Sequence, residues 1–238
     1  MGDAQLMCGV PQFPLMSSQR HFVLRMYEPR DREAVRQICC DTADCGEPME
    51  RFFPDREVFA DLLTRYYTDF EPQSAIVAVS EGRVVGYVIG CYNTARFHRI
   101  MIGRIVPLAL LKALCRGTFR HPQARALVRA NCTLWRQKGL ANKIPLHEYP
   151  AHLHINLRSS HRGLHIGQHI LEQWLNCARG AGVRGVHAGV NARNTAACIF
   201  FETMGFQSLG RQPYMRLPGE DQVMERVLYG LQLNVVAS

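Results

Sequence analysis

Between residues 151 and 180 the chain alternates in polarity, loops, and then turns helical, an order that few folds accommodate. Ala151, Leu153, Ile155 and Leu157 fall on one side of a two-residue period, with His152, His154 and Asn156 on the other, which predicts a strand with unlike faces. The polar face needs partners or a cleft, because burying it unpaired costs free energy. From Gly167 to Ala178, residues Ile170, Leu171, Trp174 and Leu175 recur at helical spacing, and Arg179-Gly180 ends the run. A strand entering a glycine-bearing loop that opens a helix is an anion site. Amide N–H groups left over at the helix start and the positive end of the helix dipole converge there. Gly163 and Gly167 permit close approach, while Arg158 and Arg162 add the fixed charge a pyrophosphate requires. The glycine spacing is not G-x-G-x-x-G and no Gly-Lys-Ser/Thr is present, so the two common nucleotide motifs do not account for it.

The surrounding periodicity predicts mixed α/β order. A strand over 21–27 comes first, then a helix carrying Ala34, Val35 and Ile38 with Asp31 as its cap. A second helix starts at Pro54-Asp55 and carries Val58, Leu62, Leu63 and Tyr66. Residues 75–79 and 84–91, rich in Val, Ile and Tyr and joined by Ser80-Glu81-Gly82-Arg83, form a hairpin. Residues 93–143 favour two or three short helices punctuated by Gly103, Pro107, Gly117, Pro122 and Gly139. A strand over 186–190, a helix over 195–204 and strands over 206–216 and 223–233 complete the order, with no internal repeat.

At 238 residues and 47% hydrophobic, the chain can bury a full core, so we expect one domain over 21–238 behind a flexible tail over 1–20. The odd count of nine cysteines forms neither a disulfide framework nor paired C-x-x-C spacing; reduced thiols and a cytoplasmic location follow. The amino terminus lacks the marks of a signal peptide or a myristoylation site. Arg104, Lys112 and Pro107 interrupt the apolar run 100–115, so no transmembrane segment is expected. The net charge of +8 is uneven: no Asp or Glu occurs between Glu81 and Glu148, which makes 93–147 a basic insertion. A solvated helical face, a patch for an anionic substrate or membrane surface, and a nucleic-acid contact are its three readings. Missing base-stacking aromatics count against nucleic acid.

Arg162-Gly163-Leu164-His165-Ile166-Gly167 resembles the pyrophosphate motif Gln/Arg-x-x-Gly-x-Gly/Ala of the GNAT superfamily of acyl-CoA N-acetyltransferases, with His165 at the first motif glycine. Asn194-Thr195-Ala196-Ala197, continuing through Phe200-Phe201-Glu202-Thr203-Met204-Gly205-Phe206, resembles that family's later helix and its Gly-Phe turn. The likeness is specific over 149–206 and topological elsewhere. Pro150-Ala151-His152-Leu153-His154-Ile155-Asn156 is further similar to bacterial relatives of the acetyltransferase-like domain of nuclear O-GlcNAcase. The resemblance implies an α/β fold of α+β type: three layers, with a mixed, mostly antiparallel splayed sheet flanked by helices. It implies acetyl-CoA as acyl donor, with pantetheine along Ile155, Asn156 and Leu157, pyrophosphate on Arg162, Gly163, Leu164, His165, Ile166 and Gly167, and Asn194, Ala197 and Phe201 alongside. It implies acetyl transfer to a primary amine. We rank small-molecule acceptors above protein tails, because the basic surface repels a cationic tail unless Asp41, Asp44, Glu47 and Glu50 line the groove.

Attack on a thioester needs a base, an N–H donor for the oxyanion and usually an acid. His154, and after it His152, are the candidate bases on the polar face of the strand. The alternative is that both pack with satisfied hydrogen bonds, and that Asn156 orients one of them. Phe201 stands where many family members carry a tyrosine acid, leaving Cys198, Tyr214 or water. This favours as a second reading a catalytically weak acyl-CoA-binding or regulatory module. The histidines of 152–169 and Cys39, Cys40 and Cys45 lack metal-ligand spacing, so no metal is expected.

Overall fold

The computed structural model describes residues 22–136 and 144–233, so the expected tail and the stretch around Gly139 lie outside it. Strand β1 (Phe22–Met26) is followed by helices α1 (Arg32–Asp41) and α2 (Arg56–Asp69), then by the hairpin β2 (Ala75–Ser80) and β3 (Arg83–Cys91). Helices α3 (Thr94–Ile100), α4 (Val106–Cys115) and α5 (Pro122–Arg136) fill the basic middle. Strand β4 (Ala151–Leu157), helix α6 (Ile166–Gly180), strand β5 (Gly185–Asn191), helix α7 (Thr195–Thr203) and strands β6 (Gln207–Arg216) and β7 (Val223–Gln232) complete the order.

Local chemistry explains most boundaries. The β2–β3 turn places Glu81 and Gly82 at φ +50° and +74°, the paired left-handed conformation that matches hairpin twist. Asp55 caps α2 by accepting from the Val58 amide at 3.2 Å. Asp31 stands before α1 but does not cap it with its side chain. Its carboxylate accepts instead from the Glu28 amide at 2.9 Å and from Arg25 at 2.6 and 2.7 Å, because the buried side chain serves the strand–helix corner rather than the helix end. In the basic middle, a π-helical segment over Met101–Ile105 joins α3 to α4 just before Pro107, so the irregular turn of the hydrogen-bond ladder falls beside the residue that lacks an N–H. The middle is therefore more continuously helical than its glycines and proline suggest.

The seven strands lie in the order β1-β2-β3-β4-β5-β7-β6, antiparallel at every junction except β4–β5. On one face α6 presents Ile166, Ile170, Leu171 and Trp174 to Ile76, Val88, Leu153 and Val186. Gly90 on β3 is required by this packing, since a Cβ there would occupy the indole of Trp174, whose Nε1–H donates to the Ser74 carbonyl at 2.7 Å. On the other face α1 and α2 bury Val35, Ile38, Tyr66 and Tyr67 against Val77, Tyr87 and Ile89. The result is the expected three-layer α+β arrangement, with unlike faces on every central strand.

Candidate active site

Strands β4 and β5 run parallel but pair at only two positions, Ala151 with Val186 and His152 with His187. Beyond them β4 continues along β3, while β5 turns away along β7, so the sheet splits. The gap is a cleft of about 520 Å³. Leu153 through Leu157 form one wall and Ala188 through Asn191 the other. The start of α6 and the aromatic side of α7 close it on one face of the sheet, and the turn after α1 closes it on the other.

Of the residues expected at the cofactor, Ile155, Asn156, Leu157, Arg162, Gly163, His165, Ile166, Gly167, Asn194, Ala197 and Phe201 line this cleft. Leu164 does not; it packs against the hydrophobic core. Gly163 adopts φ +75° and His165 φ +58°, so the loop keeps a left-handed conformation although His165 carries a side chain. The His165 ring turns back along α6, its Nδ1 2.6 Å from Gln168 Oε1, which keeps it off the loop amides. No side chain caps α6, so its first amides remain available to an anion. Asn194 caps α7 by accepting from the Ala197 amide at 3.1 Å. The Arg162 guanidinium lies at the cleft against Gly46, whose hydrogen leaves the room; a Cβ there would stand 2.6 Å from Nη1. Arg158 does not join it: its Nε donates to the Val84 carbonyl at 3.4 Å, and Asp41 lies 3.8 Å away. A glycine-bearing loop, uncapped helix amides and one arginine fit a pyrophosphate, and the apolar edge of β4 fits a thin acyl-bearing arm.

The two candidate bases separate. His154 lines the cleft and is solvent-exposed there, with Tyr67 beside it at 5.7 Å between ring centroids. Crowding by the cleft walls, with the charges of His187 and Arg226, pushes its pKa down to about 4; water entering the open cleft moderates that desolvation. His152 lies behind the cleft, buried, with Nε2 2.7 Å from the Tyr67 hydroxyl, Nδ1 2.8 Å from Thr94 Oγ1 and Cys91 Sγ at 3.1 Å. Burial holds its pKa well below the ordinary imidazole value. His187 on β5 donates its Nδ1–H to the Tyr149 carbonyl at 2.9 Å, and burial lowers its pKa to about 4. Asn156 orients neither histidine, because its amide donates to Thr42 Oγ1 at 2.5 Å and thereby ties the α1–α2 turn to β4.

Neither side chain considered as an acid takes the place of the tyrosine missing at Phe201. That ring stacks on Tyr229 at 5.9 Å, and the Tyr229 hydroxyl donates to Glu202 Oε1 at 2.8 Å. Neither Cys198 nor Tyr214 lines the cleft. Three of the four acids considered for an acceptor groove are engaged elsewhere: Asp41 and Glu50 pair with Arg56, and Asp44 with Arg51 at 3.2 Å, while Glu47 is exposed and does not line the cleft. What sequence reading missed is the turn over 42–46, which contributes Thr42, Ala43, Cys45 and Gly46 to the cleft. Cys45 at φ +54° and Gly46 at φ +103° mark a tight reversal, and Asn191 Nδ2 donates to Cys45 Sγ at 3.2 Å across the gap. The adjacent Cys45-Gly46 pair was the available signal.

Among the described residues, no three His, Cys, Asp or Glu side chains form a metal-holding group. No helix there is long and apolar enough to cross a membrane.

Residues 129–206 match the model of the Acetyltransferase (GNAT) family. The structure is similar to that of SsHAT, at 29% identity and a TM-score of 0.66, covering 89% of this chain and 98% of that one. It shares its fold with an N-acetyltransferase from Staphylococcus aureus Mu50 (14% identity, 90% and 99% covered, TM-score 0.54). The same holds for yncA from Salmonella typhimurium, solved with its cofactor acetyl-CoA (15% identity, 91% and 96% covered, TM-score 0.56). The matched segment runs from α5 through the cleft loop to the end of α7 and contains both motifs on which the resemblance rests. Over residues 129–206 the chain thus matches the GNAT acetyltransferase family. It is an acyltransferase of the N-acetyltransferase type, with acetyl-CoA as its donor.

Proposed function

We propose that this enzyme transfers the acetyl group to a primary amine of a small molecule, with His154 as the base. The observation that carries this reading is the position of His154: a neutral imidazole open to the cleft on the strand that lines the acyl arm, while His152 is sealed behind it. The thioester supplies an activated carbonyl and a tolerable thiolate leaving group. His154 takes the ammonium proton, directly or through one water, so that the amine attacks in neutral form. Backbone N–H groups on the open edge of β4, no longer paired across to β5, are placed to receive the developing oxyanion. With phenylalanine at 201, thiolate departure relies on solvent and positioning rather than on a side-chain acid.

A small acceptor is supported by the absence of Asp and Glu among the residues lining the cleft and by the narrowing turn over 42–46. The likeness of 150–156 to the O-GlcNAcase-associated domain belongs to the same proposal, as does a reducing, cytoplasmic setting for the free cysteines. A second reading, a catalytically weak acyl-CoA-binding module, is favoured by Phe201. Calorimetry with acetyl-CoA followed by thiol release against an amine library separates them. Binding with amine-dependent release is expected; binding without release for any amine supports the second reading, and no binding sinks both.

A further inference from the structure

Beside the cleft, against Gly189 of its β5 wall, lies a cation that the acetyl-transfer scheme leaves unused. Arg226, on β7, turns its side chain across β5 so that its Cδ lies 3.2 Å from where a Cβ on Gly189 would stand. Gly189 lines the cleft, two residues from Asn191, which bonds to the 42–46 turn. A Cβ there would require the arginine side chain to shift by a few tenths of an ångström. The fully buried Gln212, in the amide orientation that satisfies its surroundings, turns its oxygen to the guanidinium and accepts from Nη2 and, at 2.9 Å, from Nε. That partner is neutral. Among the described residues no carboxylate comes within ion-pair distance of Arg226, whereas the deeply buried Arg36 sits between Asp61 and Glu57. A guanidinium half-sunk in protein without an anion is unfavourable, and its planar fork is shaped for a carboxylate. Its charge reaches the reaction centre: Arg226 contributes to the low pKa of both His154 and His187, while desolvation lowers its own.

We infer that Arg226, held by Gln212 and admitted by Gly189, binds the carboxylate of the acceptor, so that the substrates of this enzyme are amines that also bear a carboxylate, as amino acids do. The inference rests on acetyl transfer to an amine and adds the acceptor's chemical class. A carboxylate on the fork fixes the acceptor at one end while its amine faces His154, and the pair neutralises an otherwise isolated charge. An acceptor lacking the carboxylate leaves Arg226 unpaired, which is how the site would reject it.

The test compares amine-dependent thiol release for matched pairs, such as phenylalanine and phenethylamine, alanine and ethylamine, and an aminoalkyl phosphonate, in the wild type, R226Q and R226K. The wild type is expected to favour the carboxylate member by about 100-fold in kcat/KM. R226Q should collapse that ratio, with the loss carried by KM of the carboxylate amine, and R226K should recover part of it. Acetyl-CoA affinity reports that each variant is folded. Preference for the phosphonate over the amino acid, equal use of the paired amines by the wild type, or an equal loss on both in R226Q would overturn the proposal. If no amine releases thiol, the transfer reading has failed and the anion site is read separately, by calorimetry of N-acetylphenylalanine against N-acetylphenethylamine in the presence of coenzyme A. Preference for the carboxylate that disappears in R226Q then sustains the site, and equal binding or none refutes it.

Discussion

The two ends of the cleft are made of different material. The donor end is largely backbone from one short stretch, with the 162–167 loop and the uncapped first turn of α6 presenting amides and only Arg162 adding charge. The end we propose for the acceptor is side chains drawn from distant strands and a turn: His154 from β4, Asn191 from β5 and Cys45 after α1, with Arg226 of β7 beside Gly189. A site of amides tolerates a change of side chain so long as φ and ψ hold, which is how His165 can stand in a glycine's place at φ +58°. A site of side chains tolerates no such exchange. Identity is the chemistry at one end, and conformation is the chemistry at the other.

Four measurements would break or sharpen that contrast. The largest effect should come from His154→Gln, which removes the base but keeps size and polarity. We expect a loss of about 10²–10⁴-fold in kcat, with acetyl-CoA affinity by calorimetry retained; a loss under about threefold would make His154 a wall and not a base.

Second is stability against pH. His152 and His187 are held neutral in the fold, with pKa values below the ordinary 6.5, so the unfolded chain takes up protons that the folded one refuses. Their stabilisation is complete above pH 6.5 and is lost as pH falls through 6 and 5 toward the folded values. The limiting slope is about 1.4 kcal/mol per pH unit for each histidine; His154, wet by the cleft, should add less. Thermal melts between pH 7 and 5 should show Tm falling, and His187→Asn, which keeps a donor for the Tyr149 carbonyl, should flatten the curve. A Tm independent of pH in that window would mean that the histidines are hydrated.

Third, Arg162→Ala should weaken acetyl-CoA binding by about tenfold, the worth of one charge-assisted contact. The change should appear in the donor KM and leave the ranking of acceptor amines as it was. The smallest effect is His165→Gly. Relief of the left-handed conformation should raise stability by about 0.5–1 kcal/mol in denaturant melts, and donor affinity should hold if the amides are what bind.

The same contrast explains what could be read from the chain. The donor end was legible because its parts are contiguous: alternation located β4 at its observed bounds, and two glycines after it located the loop. The acceptor end was not, because its contacts span the chain, as when Asn156 meets Thr42 across 114 residues. Alternation placed His152 and His154 on one face of β4 and could not choose between them. The choice depends on where β5 peels away, and that is set by its register with β7. Arg226 gave no local signal either, since an arginine in an amphipathic strand reads as a solvated charge until Gly189 and Gln212 are seen around it. Asp31 shows the converse: a residue of the right type in a capping position was taken by a stronger partner, Arg25.

The two-pair seam between β4 and β5 has a consequence for how the molecule could be divided. All four strands on one side of the seam precede all three on the other in the chain, and Gly182 joins the two groups at φ +74° with open space around it. A break there would leave two continuous pieces, each with its own antiparallel strands, facing each other across an interface with little strand pairing of its own. The donor cleft lies on that interface and takes its walls from both pieces. In a severed enzyme acetyl-CoA would therefore act as the bolt, and the return of activity on mixing the halves should track the concentration of donor as much as that of the fragments.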